Sequence, residues 1–229
     1  MKLGITLAVL AAALLVPASA EAGTSQVTCA KKSSRTVQAG KQARVFFYGF
    51  FYGCLYRTDQ RFYLGGGDCR DRQGKVAYLR LAGAHVAYRT TQCFLESGYT
   101  SITVASLRDG RKRYLGPYLA LPPPSVPCMP GQCRVIPGAV GFHNDLTALK
   151  LKPNGSVAWI GRQRGRYKPT NPFEDVFYTH YEVRKAEGAG ESVLLDSGPD
   201  IDPGSLRLQG GGSTIYWTKG GVESSAPLQ

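Results

Sequence analysis

The sequence predicts an all-β fold of antiparallel meanders resembling β-propeller blades, and three observations carry that prediction. Aromatic and β-branched residues gather in short runs, punctuated by 28 Gly and 14 Pro. No window of about a dozen residues holds a 3.6-residue apolar period with helix caps. One hairpin pattern recurs, as LRLAGAHVAY from Leu79, LKLKPNGSVAW from Leu149 and LRLQGGGSTIYW from Leu206. Each copy has two leucines at alternate positions, a turn rich in Gly or Asn, and a strand with an aromatic near its end. An incomplete propeller and two separate β units are the two arrangements such meanders allow.

Residues 1–22, within MKLGITLAVLAAALLVPASAEAG, have one positive charge, an apolar run from Leu7 to Val16 and small residues at Ala18, Ser19 and Ala20. That is the layout of a secretory signal peptide, and it places the mature chain's start near Glu21 or Gly23. The expectation is a secreted or envelope-associated protein with no transmembrane segment in the mature chain, since the apolar run is shorter than the roughly 20 residues a spanning helix needs. Six cysteines follow: Cys29, Cys54, Cys69, Cys93, Cys128 and Cys133. In an exported chain they read as three disulfides, with fifteen possible pairings. Metal binding is disfavoured because no C-x-x-C pair occurs. A Pro-Gly turn between Cys128 and Cys133 makes that pair the one expected disulfide; the pairing of the other four stays open.

Residues 23–116 are expected to form an N-terminal β unit. Its run RVFFYGFFYGC holds six aromatics between Phe46 and Tyr52. Exposed, such a row could stack on sugar rings, but a continuous apolar run reads first as a strand buried on both faces, with Gly49 and Gly53 marking a bend or bulge. The Leu79 hairpin follows, then TSITVASLRDGRKRYL with a turn at Asp109-Gly110. Residues 117–137 are read as a Pro-rich linker carrying the Cys128 and Cys133 pair, because proline lacks the donor a central strand requires.

Residues 138–229 are read as C-terminal repeats. Alternation places Leu149 and Leu151 on one face and Lys150 and Lys152 on the other. Asn154-Gly155 suits a tight two-residue hairpin, since both residues tolerate positive φ. FYTHYEVRKAEGAGESVLL supplies a second hairpin, and hairpin plus hairpin makes a four-stranded meander, the unit of a propeller blade. With LKLKPNGSVAWI, YEVRK, LLDSGPDIDPGSLRLQGG, IYW and SAPL, this region resembles uncharacterised exported bacterial proteins with propeller-like repeats. The resemblance covers residues 146–229 well and Leu79 to Leu115 loosely. It implies repeated meanders and carries no known activity, catalytic residue or ligand.

LLDSGPDID, residues 194–202, raises the question of an aspartic protease, whose Asp-Ser/Thr-Gly it contains. Such enzymes need two carboxylates sharing a proton, and no second Asp-Ser/Thr-Gly exists. The favoured reading is a strand end followed by a turn, with Asp and Ser bonding local backbone. Asp196, Asp200 and Asp202 also suggest calcium, but they lack the closing acid and central glycine of an EF-hand loop. His85, His143 and His180 are scattered, no catalytic or phosphate-binding motif appears, and no cofactor or metal is implied.

Charge is the more usable signal. A net charge of +12 favours acidic partners such as acidic polysaccharide or an anionic wall polymer, with no physiological nucleic acid expected. Two runs concentrate it: Arg108, Arg111, Lys112 and Arg113, and Arg162, Arg164, Arg166 and Lys168. Both are expected on turns at sheet edges. The sequence thus predicts a binding or surface-interaction module for anionic envelope polymers; the rival is an exported hydrolase with a dispersed site.

Overall fold

The computed structural model describes Cys29, residues 33–67, 75–91, 100–115, 143–167 and 176–229. The Pro-rich segment, its expected Cys128–Cys133 pair and Lys168 lie outside the described residues. Fifteen strands run in chain order: β1 (Arg35–Ala39), β2 (Ala43–Tyr48), β3 (Phe50–Leu55), β4 (Arg61–Gly66), β5 (Lys75–Ala82), β6 (His85–Thr91), β7 (Thr100–Ser106), β8 (Lys112–Leu115), β9 (His143–Leu151), β10 (Val157–Tyr167), β11 (Val176–Ala186), β12 (Val193–Gly198), β13 (Arg207–Leu208), β14 (Thr214–Lys219) and β15 (Val222–Pro227). The fold is all-β, with no helix among the described residues, and sequential strands pair as antiparallel meanders.

β1 to β8 form one continuous hydrogen-bonded order, but a single parallel bridge, Gly66 with Lys75, joins its two halves. The halves β1–β4 and β5–β8 also meet through their faces. Ala43, Val45 and Leu64 from the first share a cluster with Val76, Leu79, Val86, Tyr88, Ala105 and Leu107 from the second. The Tyr88 hydroxyl crosses between them to donate to the Leu64 carbonyl at 3.0 Å. Strand alternation sends the intervening residues the other way. Ala87, Ile102 and Val104 pack on Leu149, Val157 and Trp159 of the sheet β9–β12, so one cluster spans both sides of the Pro-rich segment. That sheet alternates in turn, for Ala158, Ile160 and Val183 pack on Ile201, Leu206, Ile215 and Trp217 of the C-terminal region. Successive meanders are thus layered face against face, each inner layer buried on both sides.

Two turns differ from expectation. RVFFYGFFYGC is a hairpin rather than one strand: β2 and β3 reverse at Gly49, whose φ is 69°, with Tyr48 opposite Phe50. The continuous run of aromatics hid the reversal, and its alternate side chains part to opposite faces. At Asn154-Gly155 only Gly155 takes positive φ, at 89°. The connection is longer than two residues, closed by Gly155 N–H to the Lys152 carbonyl (3.0 Å) and Lys152 N–H to the Ser156 carbonyl (2.9 Å). Pro153 favours this wider turn by fixing its own φ near −65°.

Cys29 pairs with Cys54 in a disulfide across 25 residues, pinning the chain ahead of β1 to the outer face of β3. Among the described residues no helix is long and apolar enough to cross a membrane.

Candidate functional site

Four hairpin turns converge on an open groove of about 860 Å³. The β1–β2 turn contributes Lys41 and Gln42, the β3–β4 turn Tyr56, Arg57 and Thr58, the β5–β6 turn Ala84 and the β7–β8 turn Arg108. Backbone hydrogen bonds tie the turns in pairs: Tyr56 N–H to the Gln42 carbonyl (2.9 Å) and Leu107 N–H to the Ala84 carbonyl (2.8 Å). Leu55 lines the floor and packs on the cluster shared by the two halves, so the rim is held by the core beneath it. Lys41, Arg57 and Arg108 are exposed, and among the described residues no Asp or Glu lines the groove. Three cations on short, tethered turns around one depression form a positive site whose attraction for anions falls with salt.

The two basic runs divide among several roles. Arg108 belongs to this groove. Arg111 is exposed and pairs with Asp109 at 3.4 Å. Lys112 sits with its ammonium 5.3 Å from the centre of the Tyr63 ring, and burial lowers its pKa. Arg113 faces inward to the next sheet. Its guanidinium donates to the carbonyls of Gly188, Glu187 (3.3 Å) and Gly155 (3.3 Å), closing the β7–β8 hairpin against two turns of the β9–β12 sheet.

The second run is not on a turn, because Arg162, Arg164 and Arg166 lie within β10, a central strand. An eleven-residue strand with partners on both sides carries the run across the sheet. Arg162 pairs with Asp145 at 2.9 Å, and Arg89 reaches the same carboxylate from β6. Arg164 is exposed. Only the backbone of Arg166 is described, opposite Phe177.

Lys41 and Arg57 escaped sequence reasoning because each is a lone cation in its own turn. Their isolation along the chain conceals their convergence in space. The recurring hairpin was the only available signal, since repeated meanders bring turns of like parity together.

Asp196 is an interlayer contact. Its carboxylate accepts from Trp217 Nε1 (2.9 Å), Lys219 Nζ (2.8 Å) and Ser197 N–H (2.7 Å), joining β12 to β14. Burial opposes its ionisation, but these donors prevail and hold its pKa below the usual carboxylate value. Asp202 accepts from Gly204 N–H at 2.9 Å, a local turn contact. His85 Nδ1 lies 2.8 Å from the Pro153 carbonyl. His180 is buried, which lowers its pKa against the pull of Glu182. Cys29, Cys54 and Asp59 cluster within 4.8 Å, but the two sulfurs are joined and offer no thiolate to a metal.

No protein-family model, no curated protein and no solved structure matches the chain.

Proposed function

We propose that this chain is an exported module of blade-like repeats that binds an anionic polymer of the cell envelope through the groove of Lys41, Arg57 and Arg108. The observation that carries the reading is the convergence of three cations from separate turns, with no carboxylate among the described lining residues. The net charge of +12 would draw a polyanion to the surface, and the groove would give it a place to settle. Tyr56 and Gln42 add hydrogen-bonding groups at the rim. The meander order and the layering of successive faces support a propeller-like arrangement of the repeats.

The test is elution from a polyanion column against a salt gradient, beside a solution affinity for polyphosphate. Lys41→Glu, Arg57→Glu and Arg108→Glu together should weaken polyphosphate binding at least about tenfold, a loss of about 1.4 kcal/mol. Circular dichroism should stay unchanged, because all three side chains are exposed on turns. Arg164→Glu, which removes an exposed charge outside the groove, should have a smaller effect. If the Arg164 variant loses a third or more of the binding free energy that the triple variant loses, as its share of the charge change predicts, net charge rather than the groove holds the polymer and the assignment fails.

A further inference from the structure

The two ends of the layered stack have different chemistry. At the C-terminal end the outward face of β13–β15 is polar: Arg207 pairs with Glu223 and covers Tyr216 at 4.3 Å, beside Thr214, Thr218 and Ser225. That is how a terminal layer meets water. At the other end the outward face of β2–β4 is aromatic. Phe46 and Tyr52 stack with centroids 5.5 Å apart, and Phe50 and Tyr52 each meet Tyr63 edge-on, at 5.7 and 5.9 Å. Tyr48 remains 41% exposed and Tyr63 37%. These rings, Tyr63 apart, line an open cleft of about 560 Å³ together with Gly49 and Arg61. Among the described residues it shares no lining residue with the turn groove.

We infer that this cleft is a saccharide-stacking site, and that its ligand is a polysaccharide of pyranose rings bearing carboxylates. Phe46 is buried beneath this face, and Tyr48, Phe50 and Tyr52 offer apolar ring surface with phenol groups among it, which matches a pyranose: its axial C–H groups form an apolar patch, and its hydroxyls project from the edges. Ring contacts hold Phe46, Phe50 and Tyr52 before a ligand arrives, so little of their side-chain entropy is lost on binding. The charges select an acidic sugar. Arg61 lines the cleft, Arg44 lies over Phe46 at 5.6 Å, and among the described residues no Asp or Glu lines it. A second copy docked on the same face would bring two sets of Arg44 and Arg61 into one interface, a concentration of like charge that disfavours self-association. Gly49, at φ 69°, has none of the described residues within 4 Å of a would-be Cβ, which leaves room at the β2–β3 turn beside the cleft.

The experiment titrates the protein with a short oligogalacturonate, with polyphosphate as charge without rings and a neutral galacto-oligosaccharide as rings without charge. Oligogalacturonate should bind more tightly than the neutral sugar. Tyr48→Ala with Phe50→Ala should weaken oligogalacturonate about tenfold, the loss typical of a truncated aromatic anchor, and leave polyphosphate unchanged. Arg61→Glu gives the same selective loss through a single exposed residue, should the aromatic double variant fold poorly. The triple variant of the turn groove distinguishes the two sites, because it should weaken polyphosphate and leave the aromatic dependence of the sugar intact. The inference is overturned if the wild type does not bind oligogalacturonate, or if its binding ignores both cleft variants. A dimer in sedimentation that the Tyr48 and Phe50 variant dissociates would also overturn it, by showing that a second copy occupies the face.

Discussion

Asp196 shows how much a single residue's role depends on what faces it. In the sequence it stands in a protease-like triplet; in the fold three donors occupy its carboxylate and fasten β12 to β14. Two of those donors come from residues 21 and 23 positions away, so the local motif carried no trace of them. Asp196→Asn should cost about 1 kcal/mol, a modest figure because Lys219 is partly exposed and solvent screens the pair. Its pH dependence has a definite sign. A carboxyl whose folded pKa lies below the unfolded one contributes stability above the unfolded value, and that contribution is lost as pH falls through the folded pKa. Urea midpoints should therefore drop more between pH 7 and the acid carboxylate range in wild type than in Asp196→Asn. Equal drops would assign acid sensitivity to other groups. Arg113 makes the same point from the opposite charge: its basic run looked like a solvated turn, yet its acceptors come from loops 42 and more residues later.

Hairpins were the most legible elements, and each misreading of one has a physical cause. The leucine alternation of the copies at Leu79, Leu149 and Leu206 located β5–β6, β9–β10 and β13–β14, because one face of each hairpin must be apolar to pack on a neighbour. β1 escaped, for RTVQA is an edge strand with four exposed residues and no apolar face to declare it. β2 and β3 merged in the reading because both their faces carry aromatics. Within β3, Gly53 fills a tight place, since a Cβ there would fall 2.4 Å from Leu107 Cδ2 on the facing meander. Gly53→Ala should therefore destabilise the fold by about 1–3 kcal/mol through overpacking. Thermal melts check this, and Leu107→Val provides the control. Removing the methylene that clashes should make the pair of substitutions less costly than their sum. Additive losses would show that the cost does not come from the Leu107 contact.

At the scale of the whole molecule, a meander in the middle of the stack is buried on both faces, which the sequence showed only as alternating residues that are apolar on both parities. The sheet β9–β12 is the clearest case. Val157 and Trp159 point to the layer before it, while Ala158 and Ile160 point to the layer after. Neither interface can be lost without stripping one face of the same strand, β10, so the layers should unfold together. The chain's two tryptophans report on this separately: Trp159 is wholly buried in the first interface, and Trp217 is 5% exposed in the second. Trp159→Phe leaves Trp217 as the sole indole, and Trp217→Phe leaves Trp159. For a single cooperative unit, the urea midpoint read by indole fluorescence should match the one read by far-ultraviolet dichroism in each variant, even though the substitutions shift the midpoints themselves. Stacked repeats coupled only to their neighbours can instead melt in stages. An indole transition that precedes the dichroism in the Trp217-only variant, but not in the Trp159-only one, would locate the weak interface between β10 and the C-terminal sheet. The layers would then be an array of separable units, and the groove and the aromatic cleft at the far end could persist after that sheet had come away.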